Sequence, residues 1–324
     1  TAYEISLGLV GSEMCIRDSC KSISKNQALA WLTQPLEMYL PNHFVWGTQT
    51  YLMGVINVTP DSFSGDGLGP KNELVTRALD LATKFVEAGT HVIDVGGEST
   101  RPGNQPITLQ EELDRVIPVV QALAENFSIP ISVDTSKSIV ADAALTAGAS
   151  IVNDVWGLRQ DIELANIISK HGSAVILMHN SSRSLNTESS EILGSRYKST
   201  LYDDFMPSIK SDLEMSVSIA RNANIDRANI IIDPGIGFGK SVSQNIRIIN
   251  ELNYFTKIGY PILIGPSRKS FIGYTLNLPV EERLEGTAAA ISVGITRGAD
   301  MVRVHDVKPL SRVVRMTDSF VRNI

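Results

Sequence analysis

Ile230-Ile231-Ile232-Asp233-Pro234-Gly235-Ile236-Gly237-Phe238-Gly239-Lys240 decides the fold. Three β-branched apolar residues run into a carboxylate and then a glycine-rich turn. An unbroken apolar run of this kind predicts a strand buried on both faces, as in a parallel sheet. Pro234 and the glycines end it, which leaves Asp233 at the carboxyl end of the strand, where α/β folds bind their ligands.

The same order of apolar strand, polar terminal residue, loop and helix repeats on either side. Strands are predicted at 51–56, 91–95, 131–133, 151–152, 174–178, 230–232, 262–264 and 301–304. Helices are predicted at 72–88, 109–125, 137–147, 161–171, 203–223, 243–257, 284–297 and 308–322, with a polar loop over 180–200 and a short hairpin leading into the first strand from Phe44. Gly89, Gly148, Gly172 and Gly298 each follow a predicted helix, as chain-reversing residues do. Eight strand–helix units in series predict an α/β fold of the closed (β/α)8 TIM-barrel type.

The 324 residues carry a net charge of -6, which argues against a general nucleic-acid binder. No apolar run is long enough for a membrane span. Cys15 and Cys20 have no histidine partners at metal-binding spacing and form no disulfide framework, so a reducing, cytoplasmic setting is expected. Residues 1–19 lack periodicity and begin without Met; they are read as a non-native or disordered leader, 20–43 as an N-terminal extension, and 44–324 as one catalytic barrel domain.

The predicted strand ends gather Asn57, Asp94, Asp134, Asn153-Asp154, Met178-His179, Asp233, Ser267-Arg268-Lys269, Arg303 and His305. Asp134, Asn153 and Asp233 are acceptors suited to a flat heterocycle with adjacent N–H donors, which a carboxylate reads as it reads a guanidinium fork. Lys269 could donate to a ring carbonyl. Arg268, Lys269, Arg303 and His305 lie after strands seven and eight, where barrels hold phosphate. The implied ligand is a heterocycle bearing a phosphate-type group.

At this point the motifs resemble those of the dihydropteroate synthases. They are Met53-Gly54-Val55-Ile56-Asn57-Val58-Thr59-Pro60-Asp61-Ser62-Phe63-Ser64, Asp94-Val95-Gly96-Gly97-Glu98-Ser99-Thr100-Arg101-Pro102-Gly103, Ser132-Val133-Asp134-Thr135, Asn153-Asp154-Val155, Asp233-Pro234-Gly235, Ser267-Arg268-Lys269-Ser270 and Arg303-Val304-His305-Asp306. The Gly65-Asp66-Gly67 run after Ser64 departs from the family's usual pattern. The resemblance implies condensation of 4-aminobenzoate with 6-hydroxymethyl-7,8-dihydropterin diphosphate. It implies a pterin pocket of Asp134, Asn153, Met178, Asp233, Phe238, Gly265 and Lys269, and a diphosphate site of Asn57, Arg303 and His305. It further implies Mg²⁺ on Asn57, an aminobenzoate site of Phe63, Thr100, Arg101, Pro102 and Ser270, catalytic roles for Asp61, Arg101 and Lys269, and a homodimer.

His179 and Asp154 are read as structural, Asp94 and Glu98 as orienting the second loop, and Lys240 as lacking the rest of a nucleotide-binding loop. A pterin-dependent methyltransferase would share the acidic pocket but have no use for an anion site. A non-catalytic pterin-binding protein would release no diphosphate, and a sugar-phosphate barrel enzyme would make poor use of Asp134 and Asp233.

Overall fold

The structure is a computed structural model and describes residues 44–59, 71–99, 106–182, 187–190 and 192–322. The expectations for 1–19 and 20–43, and those for Asp61, Phe63, Thr100, Arg101 and Pro102, lie outside these residues.

Eight parallel strands form the barrel: β1 (Tyr51–Asn57), β2 (Val92–Gly96), β3 (Ile131–Asp134), β4 (Ile151–Asp154), β5 (Ala174–Met178), β8 (Ile230–Asp233), β9 (Leu263–Ile264) and β10 (Met301–Val304). They pair in the order β8-β5-β4-β3-β2-β1-β10-β9. A parallel bridge between Ile232 and Ile262, with Ile232 N–H donating to Pro261 C=O at 2.9 Å, joins the two ends. The helices are α1 (Lys71–Glu87), α2 (Leu109–Asn126), α3 (Ser138–Thr146), α4 (Leu164–His171), α5 (Phe205–Asn222), α6 (Val242–Asn250), α7 (Ser270–Leu276), α8 (Leu284–Thr296) and α9 (Val307–Val321). Thr108 with Glu111, and Ser241 with Gln244, start α2 and α6 with reciprocal side-chain caps. Gly89, Gly148, Gly172 and Gly298 take φ of 84°, 113°, 62° and 101°, the left-handed turn-back expected of them.

Side chains alternate along a strand, so each has an inward and an outward set. The outward set, among it Leu52, Ile93, Val133, Val152, Leu177, Ile230 and Ile232, packs under the helices in the main core. The inward set begins with Tyr51, Met53, Val92, Ile151, Ala174, Ile176, Ile231, Leu263 and Met301, joined by Phe44, and forms a second apolar cluster inside the barrel. Burial on both faces is thus the reason for the triple isoleucine. The inward set continues upward to Asn57, Asp94, Asp134, Asn153, Met178, Asp233, Gly265 and Arg303, so parity alone sends these to the carboxyl-end rim.

Four local expectations are corrected. The stretch after Phe44 is a turn over Val45–Thr48, not two paired strands among the described residues. The helix expected over 243–257 stops at Asn250 and continues as a 3-10 segment, Leu252–Ile258, whose tighter winding keeps Leu252 and Phe255, three apart, both in the core. The expected loop 180–200 contains an antiparallel hairpin, β6 (Thr187–Ser190) with β7 (Gly194–Tyr197). Its strands are almost wholly polar, and a lone two-stranded ribbon has little stability of its own. Finally, α7 follows the turn after β9, where no helix was expected.

Candidate active site

Arg303 is the hub of the rim. Its Nε donates to Asp94 Oδ2 at 2.6 Å and its Nη2 to Asp134 Oδ2 at 2.7 Å. Asn153 Nδ2 donates to the same Asp94 oxygen at 3.2 Å. Burial disfavours the guanidinium charge, but Asp94 and Asp134 outweigh it and raise the Arg303 pKa. Burial also drives the Asp134 carboxyl well above the usual carboxylate range, against the pull of Arg303. The guanidinium of Arg303 therefore reaches inward to these two acids.

Asp233 is buried at the end of β8, and its Oδ1 accepts the Gly235 N–H at 2.7 Å. Burial pushes its carboxyl up to about 6, although the Gly235 bond, Lys269, Lys240 and Arg303 all oppose this. Lys269 Nζ stands 4.1 Å from the centre of the Phe238 ring, a cation–π contact. Burial and then Arg303 lower its pKa to about 8, with Asp233 and Asp134 pulling the other way. Met178, Val155 and Phe238 form a small apolar wall, joined by Trp156 and Tyr197. Among the described residues a Cβ at Gly265 would meet only Arg303 Cβ, at 3.8 Å, so the missing side chain leaves room beside Arg303. Two acids, one amide, one ammonium and an apolar wall thus share one mouth.

His305 follows β10 and meets Ser267. Ser267 Oγ accepts the His305 backbone N–H at 3.2 Å and lies 3.0 Å from His305 Nδ1. With the hydroxyl hydrogen donated to Nδ1, the proton of the ring sits on Nε2. Burial, then Arg303, Arg268 and Lys269, push the imidazole down to about 3, so it serves as a neutral donor. Arg268 is not a free cation of the rim: its fork engages Asp306 at 2.8 and 2.5 Å.

Asn57 is half-buried at the end of β1. A Cβ at Gly96 would lie 3.8 Å from its Oδ1 and 3.7 Å from Asp134 Oδ2, which places both oxygens over the same bare stretch of backbone. Among the described residues no three His, Cys, Asp or Glu side chains converge as metal ligands. The Asn57 and Asp134 oxygens beside Gly96 are hard donors of the kind a magnesium ion takes, an ion that keeps waters and substrate oxygens in its shell. Ser270 opens α7 beside Lys269, half-buried.

The structural readings of Asp154 and His179 fit their contacts. Asp154 accepts the Trp156 and Leu158 N–H groups at 2.9 and 2.5 Å, and burial raises its carboxyl to about 6. Glu98 pairs with Lys137 at 2.6 Å, which also holds Glu112. Two residues matter more than the sequence suggested. Asp94 is part of the rim itself, a place its inward parity already indicates. Lys240 is buried, and its Nζ donates to Gly235 C=O at 2.8 Å and Phe238 C=O at 3.1 Å and meets His179 Nδ1 at 3.0 Å. It ties the glycine turn into a knot; burial lowers its pKa to about 7 and that of His179 to about 4. Gly235 must lack a side chain there, since a Cβ would fall 1.8 Å from His179 C=O.

A family model described as "Pterin binding enzyme" matches residues 53–305. The dihydropteroate synthase of Bacillus subtilis is 44% identical over 281 residues, 87% of this chain and 92% of that protein. The chain belongs to the dihydropteroate synthase family. The dihydropteroate synthase of Clostridium beijerinckii is 45% identical over 277 residues, 85% of this chain and 96% of the relative. Among solved dihydropteroate synthases, that of Clostridium difficile, determined in the presence of pteroic acid, superposes with a TM-score of 0.78 at 44% identity, covering 86% of this chain and 99% of the other. The Yersinia pestis dihydropteroate synthase in complex with a sulfonamide drug gives 0.77 at 35% identity, covering 86% and 96%.

Proposed function

We propose that this rim joins 4-aminobenzoate to 6-hydroxymethyl-7,8-dihydropterin diphosphate, releasing diphosphate and 7,8-dihydropteroate. One observation carries the assignment of parts: Asp134, Asn153, Asp233 and Lys269 open on one mouth around an inward-turned Arg303. Membership of the dihydropteroate synthase family sets aside the methyltransferase, the passive binder and the sugar-phosphate enzyme. A structure of the Xanthomonas albilineans dihydropteroate synthase holds 4-aminobenzoic acid, which supports the second substrate.

Asp233 and Asp134 accept from the ring N–H groups, Asn153 adds an amide, and Lys269 donates to the ring carbonyl. Phe238 and Met178 cover an apolar face. The exocyclic C–O bond breaks with its electron pair leaving on the diphosphate, and the ring shares the positive charge left on carbon. The aminobenzoate nitrogen then forms the C–N bond and loses a proton. The protein's task is electrostatic preorganisation around the leaving group and the transient cation. Arg303 reaches the leaving group through Nη1, which makes no hydrogen bond among the described residues, and His305 through Nε2–H. Asn57 would hold Mg²⁺, whose chemistry is to offset diphosphate charge. Asp61, Phe63, Thr100, Arg101, Pro102 and Ser270 keep their proposed aminobenzoate and catalytic roles.

The same proposal includes a cytoplasmic homodimer. Val293 on α8 and Met316, Phe320 and Val321 on α9 are 38%, 55%, 72% and 42% exposed, on two helices linked by the Thr317–Ser292 hydrogen bond. The deciding experiment is diphosphate release coupled to dihydropteroate formation, with and without Mg²⁺. Formation of dihydropteroate only with both substrates present is the expected result; substrate binding with no turnover would reject it. An Asn57→Ala variant should require more Mg²⁺ for half-maximal rate, and an unchanged requirement would remove Asn57 as the ligand.

A further inference from the structure

Arg268 sits in the catalytic turn with φ of 56°, a left-handed conformation that a residue with a long side chain adopts only under constraint. The constraint comes from one neighbouring helix start. Thr287 Oγ1 accepts the Arg268 N–H at 3.1 Å, and Arg283 Nη1 donates to the Arg268 C=O at 3.0 Å. Both sides of the strained residue are therefore gripped from α8 and the residue before it. The next residue is Lys269, whose ammonium lies over Phe238.

Arg283 is itself unusual. It is 2% exposed and spends its fork on backbone carbonyls: Nε and Nη2 on Leu278 at 3.2 and 3.1 Å, Nη1 on Arg268, and Nη2 on Leu193 at 2.9 Å. It makes no ion pair among the described residues. Its guanidinium lies against Gly273 of α7, where a Cβ would come within 2.2 Å of Nη2, so the helix is bare at the point where the fork passes. A buried charge held without a carboxylate is expensive unless its geometry is used.

Leu193 belongs to the turn between β6 and β7. That hairpin also places Arg196 over the Tyr274 ring at 4.3 Å and stacks Tyr197 on Phe238 with centroids 6.3 Å apart. One guanidinium thus binds both the hairpin that backs Phe238 and the turn that aims Lys269 at Phe238.

We propose that Arg283 is a positioning residue for the pterin pocket, joining the Tyr197 hairpin and the Arg268–Lys269 turn so that the two sides of the Phe238 wall are set together. This inference rests on the pterin reading of the pocket. The planar fork spans three carbonyls at fixed angles, which a lysine ammonium cannot reproduce.

The test measures binding of 6-hydroxymethylpterin diphosphate by calorimetry and the KM for 4-aminobenzoate at saturating pterin substrate. Arg283→Ala should weaken pterin binding by about tenfold and leave the aminobenzoate KM within about twofold. Guanidinium ion at millimolar concentration should restore much of the affinity, and Arg283→Lys should not. Thr287→Val, which removes the acceptor of the Arg268 N–H without changing side-chain shape, should show the same split at smaller size and carries the test if Arg283→Ala does not fold. Unchanged pterin affinity in both variants, or equal losses for both substrates with no guanidinium rescue, would overturn the inference. If the wild-type protein bound no pterin diphosphate, the pocket reading itself would fail; normal wild-type binding with indifferent variants rejects Arg283 alone.

Discussion

The two ends of the barrel's interior are built by one rule and have opposite energetics. At the amino end the inward positions hold Tyr51, Met53, Ile151, Ile176, Ile231 and Met301, sealed by Phe44 and Trp46 with ring centroids 4.4 and 5.2 Å from Tyr51. At the carboxyl end the same parity brings Asp94, Asp134, Asn153, Asp233 and Arg303 out of water. Burying an isoleucine contributes about 1.5–3 kcal/mol to stability, whereas burying a charge costs free energy even when it is paired. The floor is where the fold gains stability, and the rim is where part of that gain is expended on binding. Ligand affinity and stability should therefore respond oppositely to changes at the two ends.

The largest effect is expected at Arg303. Arg303→Met leaves Asp94 and Asp134 facing each other without their cation, and breaking a buried pair in this way costs about 3–5 kcal/mol. Thermal unfolding should shift down, turnover should fall by roughly a hundredfold or more, and binding of the bare pterin alcohol should weaken as well, because Asp134 loses the partner that holds it. Intact alcohol binding with a loss confined to diphosphate would show instead that Arg303 serves only the anion. At the floor, Ile231→Ala should cost about 2–5 kcal/mol in denaturant titration with pterin affinity within about twofold of wild type. A large affinity loss there would mean the two ends are coupled.

Asp233→Asn should separate the quantities most cleanly. The folded carboxyl titrates near 6 against an ordinary 3.8. The folded state therefore holds the proton more tightly than the unfolded chain. The contribution favours folding below the ordinary value and is lost as pH rises through about 6, a cost of roughly 3 kcal/mol above that. The Asn variant keeps an oxygen for Gly235 N–H and should raise the melting temperature of the unliganded protein at neutral pH. That gain should vanish below about pH 4, while pterin affinity drops about tenfold because a donor now faces ring donors. A variant that is less stable at neutral pH would refute the account of rim burial. In the wild type, pterin binding should weaken as pH falls through about 6, where Asp233 gains its proton, and turnover should decline above about 8, where Lys269 loses its charge.

What the sequence disclosed follows this division. Strand parity is a local property, so Asp134, Asn153, Met178, Asp233 and Arg303 could be sent to one mouth from their spacing alone. Parity does not say how far a side chain reaches or which partner it meets, so the inward turn of Arg303 onto Asp94 and Asp134 was not legible. Lys240 and Arg283 were missed for a second reason. Each acts on backbone carbonyls, and a carbonyl leaves no trace in residue type. The hairpin of β6 and β7 was missed because Thr187-Glu188-Ser189-Ser190 has no apolar alternation; contacts from Arg283 and Tyr274 hold it in place.

The shared parity of floor and rim also bears on how such a chain can change over generations. Inserting or deleting one residue within a barrel strand moves its whole inward set to the outside, exchanging the methyl groups under the helices for the polar groups of the mouth. Asp233 would then point at α-helical packing and Ile232 at the substrate. Between Ile230 and Asp233 only replacement is tolerable, so changes in length are confined to the connections, such as the segment between β5 and α5. A gain or loss of residues there can reshape the wall over Phe238 while leaving every rim group at its height.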